Sequence, residues 1–130
     1  MNIKLNVSEH SAKRTFASME TVRQQKVSRL LQKEIGILFQ QSLSHLTSGN
    51  IISVTVVRIA SDLGFAKIYI SVFPEKNPVQ YVEALNEQIG EITRALYPKI
   101  RNQFRKMPEI RFYHDDSLDY ADRINKILPD

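Results

Sequence analysis

Ile51-Ile-Ser-Val-Thr-Val-Val-Arg-Ile-Ala60, the connection Ser61-Asp-Leu-Gly64, and Phe65-Ala-Lys-Ile-Tyr-Ile-Ser-Val-Phe73 together decide the fold. The first run is dense in β-branched side chains, which suit a pleated, half-buried surface. The second alternates strictly, with Ala66, Ile68, Ile70 and Val72 on one side and Lys67, Tyr69 and Ser71 on the other. The short connection ends in Gly64, which takes a positive φ at no steric cost. The spacing therefore predicts an antiparallel hairpin with one face on a core.

Upstream, Glu20 to about Leu46 reads as one long amphipathic helix. At about 100° per residue, Val27, Leu30, Leu31, Ile35, Leu38 and Phe39 share a broad face. Thr47-Ser-Gly-Asn50 closes it with turn chemistry. Residues 1–18 show no steady period and are expected to be a disordered extension, with Met19 an alternative start. Downstream, Pro74-Glu-Lys-Asn-Pro78 is a loop, after which Val82, Leu85, Ile89, Ile92 and Leu96 recur at helical spacing. Gly90, off that stripe, and Pro98, which lacks an amide hydrogen, are the two positions at which this helix is expected to bend or restart. A third strand is expected at Glu109–His114, and Ser117–Leu128 reads as a short final helix with Ser117 as its cap. The order is α-β-β-α-break-α-β, an α+β domain with a three-stranded sheet and helices on one face.

The 130 residues make one domain, and the chain contains no cysteine. Disulfides, thiolate catalysis and cysteine-based zinc or iron–sulfur sites are thereby excluded, and a reducing, cytoplasmic setting is expected. No apolar run approaches the length of a membrane span. The formal net charge of +4 is unevenly placed. Residues 1–47 and 76–106 are basic, 48–75 are neutral and 107–130 are acidic. This distribution favours an anionic partner for two separate segments.

The first of these carries Lys26, Arg29 and Lys33 within about 60° of one another, nearly opposite the apolar face. Such a stripe suits a phosphate backbone, because each neutralised phosphate releases a condensed counterion. It is equally the pattern of a solvated helix face. The second segment carries Arg94, Lys99, Arg101, Arg105 and Lys106 with no acidic residue between Arg94 and Lys106. They fall where the helix is expected to break, and a restart exposes amide groups that can hold a phosphate oxygen.

Other candidates are weaker. Tyr69 and Phe73 have the outward register of base-stacking aromatics, but are expected under a helix or at the sheet edge. Asp115, Asp116, Asp119 and Asp122, with His114 beside them, have the donor chemistry of a hard-cation site. No glycine shapes a loop there, so no metal and no cofactor are expected. His10, His45 and His114 are scattered, and no G-x-S-x-G, P-loop or H-E-x-x-H motif is present, so no catalytic residue is identified and no enzyme activity is expected.

Three segments carry a resemblance. Val56-Val-Arg-Ile-Ala-Ser-Asp-Leu-Gly-Phe-Ala-Lys-Ile-Tyr-Ile-Ser-Val72 resembles the V-x-x-S-x-D-L-x-x-A-K-V-Y-V-S hairpin of the bacterial ribosome-binding factor A family. Pro108-Glu-Ile-Arg-Phe-Tyr-His-Asp-Asp-Ser117, with Arg123-Ile124, is similar to that family's P-E-L-x-F-x-x-D-x-S strand and R-I tail. Val22-Arg-Gln-Gln-Lys-Val27 and Gln32-Lys-Glu-Ile35 are similar to its first helix. The resemblance implies a type II KH-like fold and a non-enzymatic factor; a monomer is expected independently of it. Such a factor binds the free small (30S) ribosomal subunit and assists late maturation of 16S ribosomal RNA. A ribosome-maturation GTPase remains open as a further partner. The resemblance also implies a helix–kink–helix in place of the usual KH G-x-x-G loop. Gln88-Ile89-Gly90 stands where the family has A-x-G at the bend, and Pro98 marks a second candidate bend. The alternative function is a protein-interaction module of the same fold, recruiting a partner through its acidic tail and an exposed sheet edge without touching RNA.

Overall fold

A computed structural model describes residues 20–117. The expected extension at 1–18 and all but the first residue of the expected final helix lie outside the described residues. Helix α1 spans Val22–Gln40, strand β1 Ile51–Ile59 and strand β2 Phe65–Phe73. Helices α2 (Pro78–Glu87) and α3 (Ile89–Ile100) follow, then strand β3 (Glu109–His114). The sheet order is β1-β2-β3, with β1 antiparallel and β3 parallel to the central β2. Among the described residues no helix is long and apolar enough to cross a membrane.

One face of the sheet is dry. Ala66, Ile68 and Ile70 of β2 are completely buried, with Ile59 and Val57 on β1 and Ile110 and Phe112 on β3 beside them. Leu31 and Ile35 of α1 and Ile92 and Leu96 of α3 are packed onto this surface with no exposure at all. Phe39 meets Phe112 edge to face at 5.9 Å, the geometry the ring quadrupoles favour. Helix α1 lies against β1 and α3, whereas α2 lies against β3.

Helix α1 is shorter at both ends than its periodicity suggests. It opens on a capping box: the Gln24 amide N–H donates to Thr21 Oγ1 at 3.1 Å, and the Thr21 N–H donates to Gln24 Oε1 at 3.0 Å. It stops at Gln40 because the Leu43 N–H turns back to the Leu38 carbonyl at 2.8 Å, which drops Leu43 into the core. Ser44–Leu46 is then a separate 3-10 turn. The Tyr81 hydroxyl of α2 donates to the Leu46 carbonyl. Burial, with the Glu75 charge as the smaller cause, raises the Tyr81 phenol above its ordinary value and keeps it a donor.

The hairpin connection forms as expected, but the left-handed residue is Leu63 (φ 61°), not Gly64. Asp62 Oδ1 accepts the Gly64 N–H at 2.9 Å. A Cβ at Gly64 would stand 3.2 Å from that same oxygen, so the glycine serves this close approach. Leu63 gains partial burial against the core, which offsets its strained backbone.

The break between α2 and α3 falls at Gln88, at neither Gly90 nor Pro98. The Gln88 N–H bonds to Leu85, three residues back, and the regular four-residue ladder resumes with the Ile92 N–H on the Gln88 carbonyl. The two halves bury one continuous stripe against different partners, β3 for α2 and α1 for α3, and the chain re-aims between them. Gly90 is an exposed second residue of α3, and Pro98 is carried inside that helix near its C-terminus.

Both outer strands have part of their free edge occupied by side-chain amides. On β1, Gln24 Nε2 donates to the Ile59 carbonyl at 3.1 Å and Gln32 Nε2 to the Val54 carbonyl at 2.9 Å. On β3, Asn86 pairs with Phe112 as a strand residue would, accepting its N–H at 2.8 Å and donating to its carbonyl at 2.9 Å. Edges partly blocked in this way are poorer templates for a further strand.

Because Gly90 has ordinary helical geometry and nothing within 4 Å of a built Cβ, Gly90→Ala is expected to stabilise the protein by about 0.5–1 kcal/mol. Urea unfolding of the variant beside the parent checks this. A loss of stability would place the bend at Gly90 after all.

Candidate nucleic-acid interface

The apolar face of α1 is fixed on the sheet by Val27, Leu31, Ile35 and Leu38, so the opposite face must meet solvent. Lys26, Arg29 and Lys33 are all exposed there. Arg23 is also exposed one turn before Lys26 and extends the same stripe. Its spacing of three from Lys26 was a legible signal for it.

The second set is brought together less tightly. Arg94, Lys99, Arg101, Arg105 and Lys106 are each exposed. Arg94 lies midway along α3, Lys99 in its last turn about 140° round the helix from Arg94, and Arg101 is its C-cap and opens a 3-10 turn over Arg101–Gln103. Arg105 and Lys106 sit in the link to β3. With the break at Gln88, Lys99 lies about 16 Å along the helix from it. All but Arg94 therefore gather at the C-terminal end of α3, where they also answer the helix dipole, and not at the restart. The first turn of α3 instead carries Glu91, whose carboxylate meets His45 Nε2 at 2.6 Å.

Helices α1 and α3 pack side by side, so the two basic sets flank a single helical layer. None of the eight cations expected from the sequence forms an ion pair with a described residue. They face solvent without an ion-pair partner among the described residues, an arrangement that favours attraction to a polyanion.

The acidic cluster has a structural task. Asp115 is only 5% exposed; its Oδ2 accepts from Thr55 Oγ1 at 2.6 Å and its Oδ1 accepts the Ser117 N–H at 3.0 Å. Thr55 is the extra residue of a bulge in β1, where the register with β2 shifts between Val54 and Val56. The carboxylate thus ties the end of β3 across the sheet to this bulge. Asp116 is exposed, Asp119 and Asp122 lie outside the described residues, and among the described residues no group of three or more acidic, His or Cys side chains is placed to hold a metal.

Of the two outward aromatics, Tyr69 is half-buried and stacked on Tyr113 at 5.5 Å. Phe73 departs from expectation: it is 69% exposed and lies under no helix.

A mixed three-stranded sheet with three helices on one face, and cations exposed on those helices, defines a small α+β, KH-like domain. The family model of ribosome-binding factor A matches residues 23–128, and the chain belongs to that family. It is 43% identical to ribosome-binding factor A of Christiangramia forsetii over 110 residues, 84% of each chain. It is 40% identical to that of Cytophaga hutchinsonii, covering 85% of this chain and 83% of the relative. Among solved structures it resembles the crystal structure of ribosome-binding factor A from Thermus thermophilus (TM-score 0.56, 18% identity, 70% of this chain and 94% of that one). It also resembles the homology model of the Thermus thermophilus factor fitted into a cryo-electron-microscopy map of a 30S complex (TM-score 0.52, 20% identity, 67% and 89%).

Thr55→Val keeps the shape of the bulge residue and removes the hydroxyl that Asp115 accepts from. It is expected to cost about 1–3 kcal/mol, measured by chemical unfolding. An unchanged midpoint would mean that the carboxylate does not hold the bulge.

Proposed function

We propose that this chain is a non-enzymatic assembly factor of the cytoplasm that binds the free small ribosomal subunit and assists late maturation of 16S ribosomal RNA. The observation that carries the reading is the exposed basic layer on α1 and around the C-terminal end of α3, in a chain of the ribosome-binding factor A family. A relative of the same fold has been fitted into a 30S complex, which supports the same partner here. Lys26, Arg29 and Lys33, with Arg94, Lys99, Arg101, Arg105 and Lys106, are the proposed phosphate contacts. Phosphate contacts position a protein on RNA without reading sequence, which suits a factor that recognises the shape of a folded particle. The protein acts as a monomer, in keeping with the side-chain amides that occupy part of both sheet edges.

Co-sedimentation with isolated small subunits, large subunits and intact ribosomes tests the proposal. Pelleting is expected with small subunits alone. If five cations contact single-stranded phosphates, log K falls against log salt with a slope of about −3.5. Lys26→Glu combined with Lys33→Glu is expected to abolish pelleting while leaving the unfolding midpoint unchanged. Salt-independent pelleting, or pelleting that survives the double reversal, would contradict an electrostatic interface on α1.

A further inference from the structure

The face of the sheet turned away from α1, α2 and α3 carries its own ordered pattern. Strand pairing sets it out in rows. Arg58, Lys67 and Arg111 stand in register across the three strands, and beside them stand Val56, Tyr69 and Tyr113. Ser53 and Ser71 come next and Ile51 and Phe73 form the last row, while Phe65 and the exposed Glu109 pair on the other side of the Lys67–Arg111 row. At about 3.3 Å per residue, the distance from Lys67 to Phe73 along β2 is about 20 Å.

The rows differ in character. Arg58 is held at 3.5 Å by Glu20, and both side chains are largely covered. Lys67 and Arg111 are exposed, and neither pairs with a carboxylate among the described residues. The rings of Tyr69 and Tyr113 stack with 30° between their planes, and Lys67 Nζ lies 5.8 Å from the Tyr113 centroid. At the far end Phe73 is 69% and Ile51 67% exposed, although they are cross-strand neighbours with each other's apolar surface at hand.

We propose that this open face binds a segment of single-stranded RNA, as a second surface separate from the basic helical layer. Lys67 and Arg111 neutralise phosphates at one end, Phe73 offers a ring to an unstacked base at the other, and the tyrosine pair forms the platform between. One exposed ring, Phe73, and two half-buried tyrosines beside the cations Lys67 and Arg111 have the complementarity that a single strand offers, since its bases are free to stack and its phosphates are charged. A duplex keeps its bases stacked on one another and cannot use the rings. A protein partner is less well matched, because the apolar surface is confined to one end and divided from the tyrosines by two serines. The proposal goes beyond small-subunit binding by the helices and does not depend on it.

The test uses the full chain and a fluorescently labelled twelve-residue oligouridylate, with a blunt duplex of equal length, followed by fluorescence anisotropy at low salt. The single strand is expected to bind more tightly than the duplex. Lys67→Glu with Arg111→Glu, and separately Phe73→Ser, are each expected to weaken it by about tenfold or more. Lys26→Glu with Lys33→Glu is expected to weaken binding of the single strand and the duplex alike and to leave the preference for the single strand, which the sheet variants remove, so that failure here is distinct from failure of subunit pelleting. All these positions are exposed, and an unchanged thermal midpoint confirms folding. Photocrosslinking of a 4-thiouridine version to the unmutated protein gives a second readout, expected in residues 65–73 or 109–114. Crosslinks confined to α1 or residues 94–106, equal affinity for the duplex, or insensitivity to both sheet variants would overturn the proposal. A concentration-dependent dimer abolished by Phe73→Ser would overturn it too, by making a second copy the occupant.

Discussion

Complete removal of one side of β2 from water is the constraint on which the rest of the molecule depends. Ala66, Ile68 and Ile70 have no exposure and Val72 almost none, and β2 is the strand that both others pair with. Burying a side chain the size of isoleucine or valine is worth about 1.5–3 kcal/mol, so the face must be covered along its whole length. Leu31 and Ile35 from α1 with Ile92 and Leu96 from α3 do so. Because β3 runs parallel to β2, the chain must return the length of the sheet before pairing. Helices α2 and α3 are that return, and their break at Gln88 lets the first half settle on β3 and the second on α1.

Function follows from where this burial leaves the charge. Side chains opposite the apolar stripe of α1 have nowhere to go but solvent, and the same holds at the end of α3. Eight cations are displayed on α1, on α3 and in the segment that follows it without acidic partners among the described residues, while two carboxylates are engaged elsewhere. Asp115 holds the β1 bulge and Glu91 meets His45. Gln24, Gln32 and Asn86 occupy part of the edges of β1 and β3 and so make strand addition there less favourable. The proposed recognition surfaces are the charge on and beside the helices and the outer face of the sheet.

Features set by local periodicity were legible in the sequence. The bounds of β2 and β3 and the exposed stripe of Lys26, Arg29 and Lys33 follow from spacings of two and of three to four. Features set by partners distant in the chain were not. Gly90 and Pro98 are the weakest helix formers in their segment, yet the break sits at Gln88 because packing against two different elements decides it. Leu63 takes the left-handed turn position beside an available glycine because its side chain reaches the core. The row of Arg58, Lys67 and Arg111 and the stacking of Tyr69 on Tyr113 need the parallel register of β3 on β2, which no local pattern reveals. Arg23 is the exception, a stripe residue that spacing alone would have found.

Lysine acylation footprinting, read by mass spectrometry with and without an excess of free small subunits, bears most directly on the helical layer as the interface. Lys26, Lys33, Lys99 and Lys106 should lose reactivity in the complex while Lys76, in the loop between β2 and α2, keeps it. Protection of Lys76 with the four helical-layer lysines still reactive would contradict the interface described here.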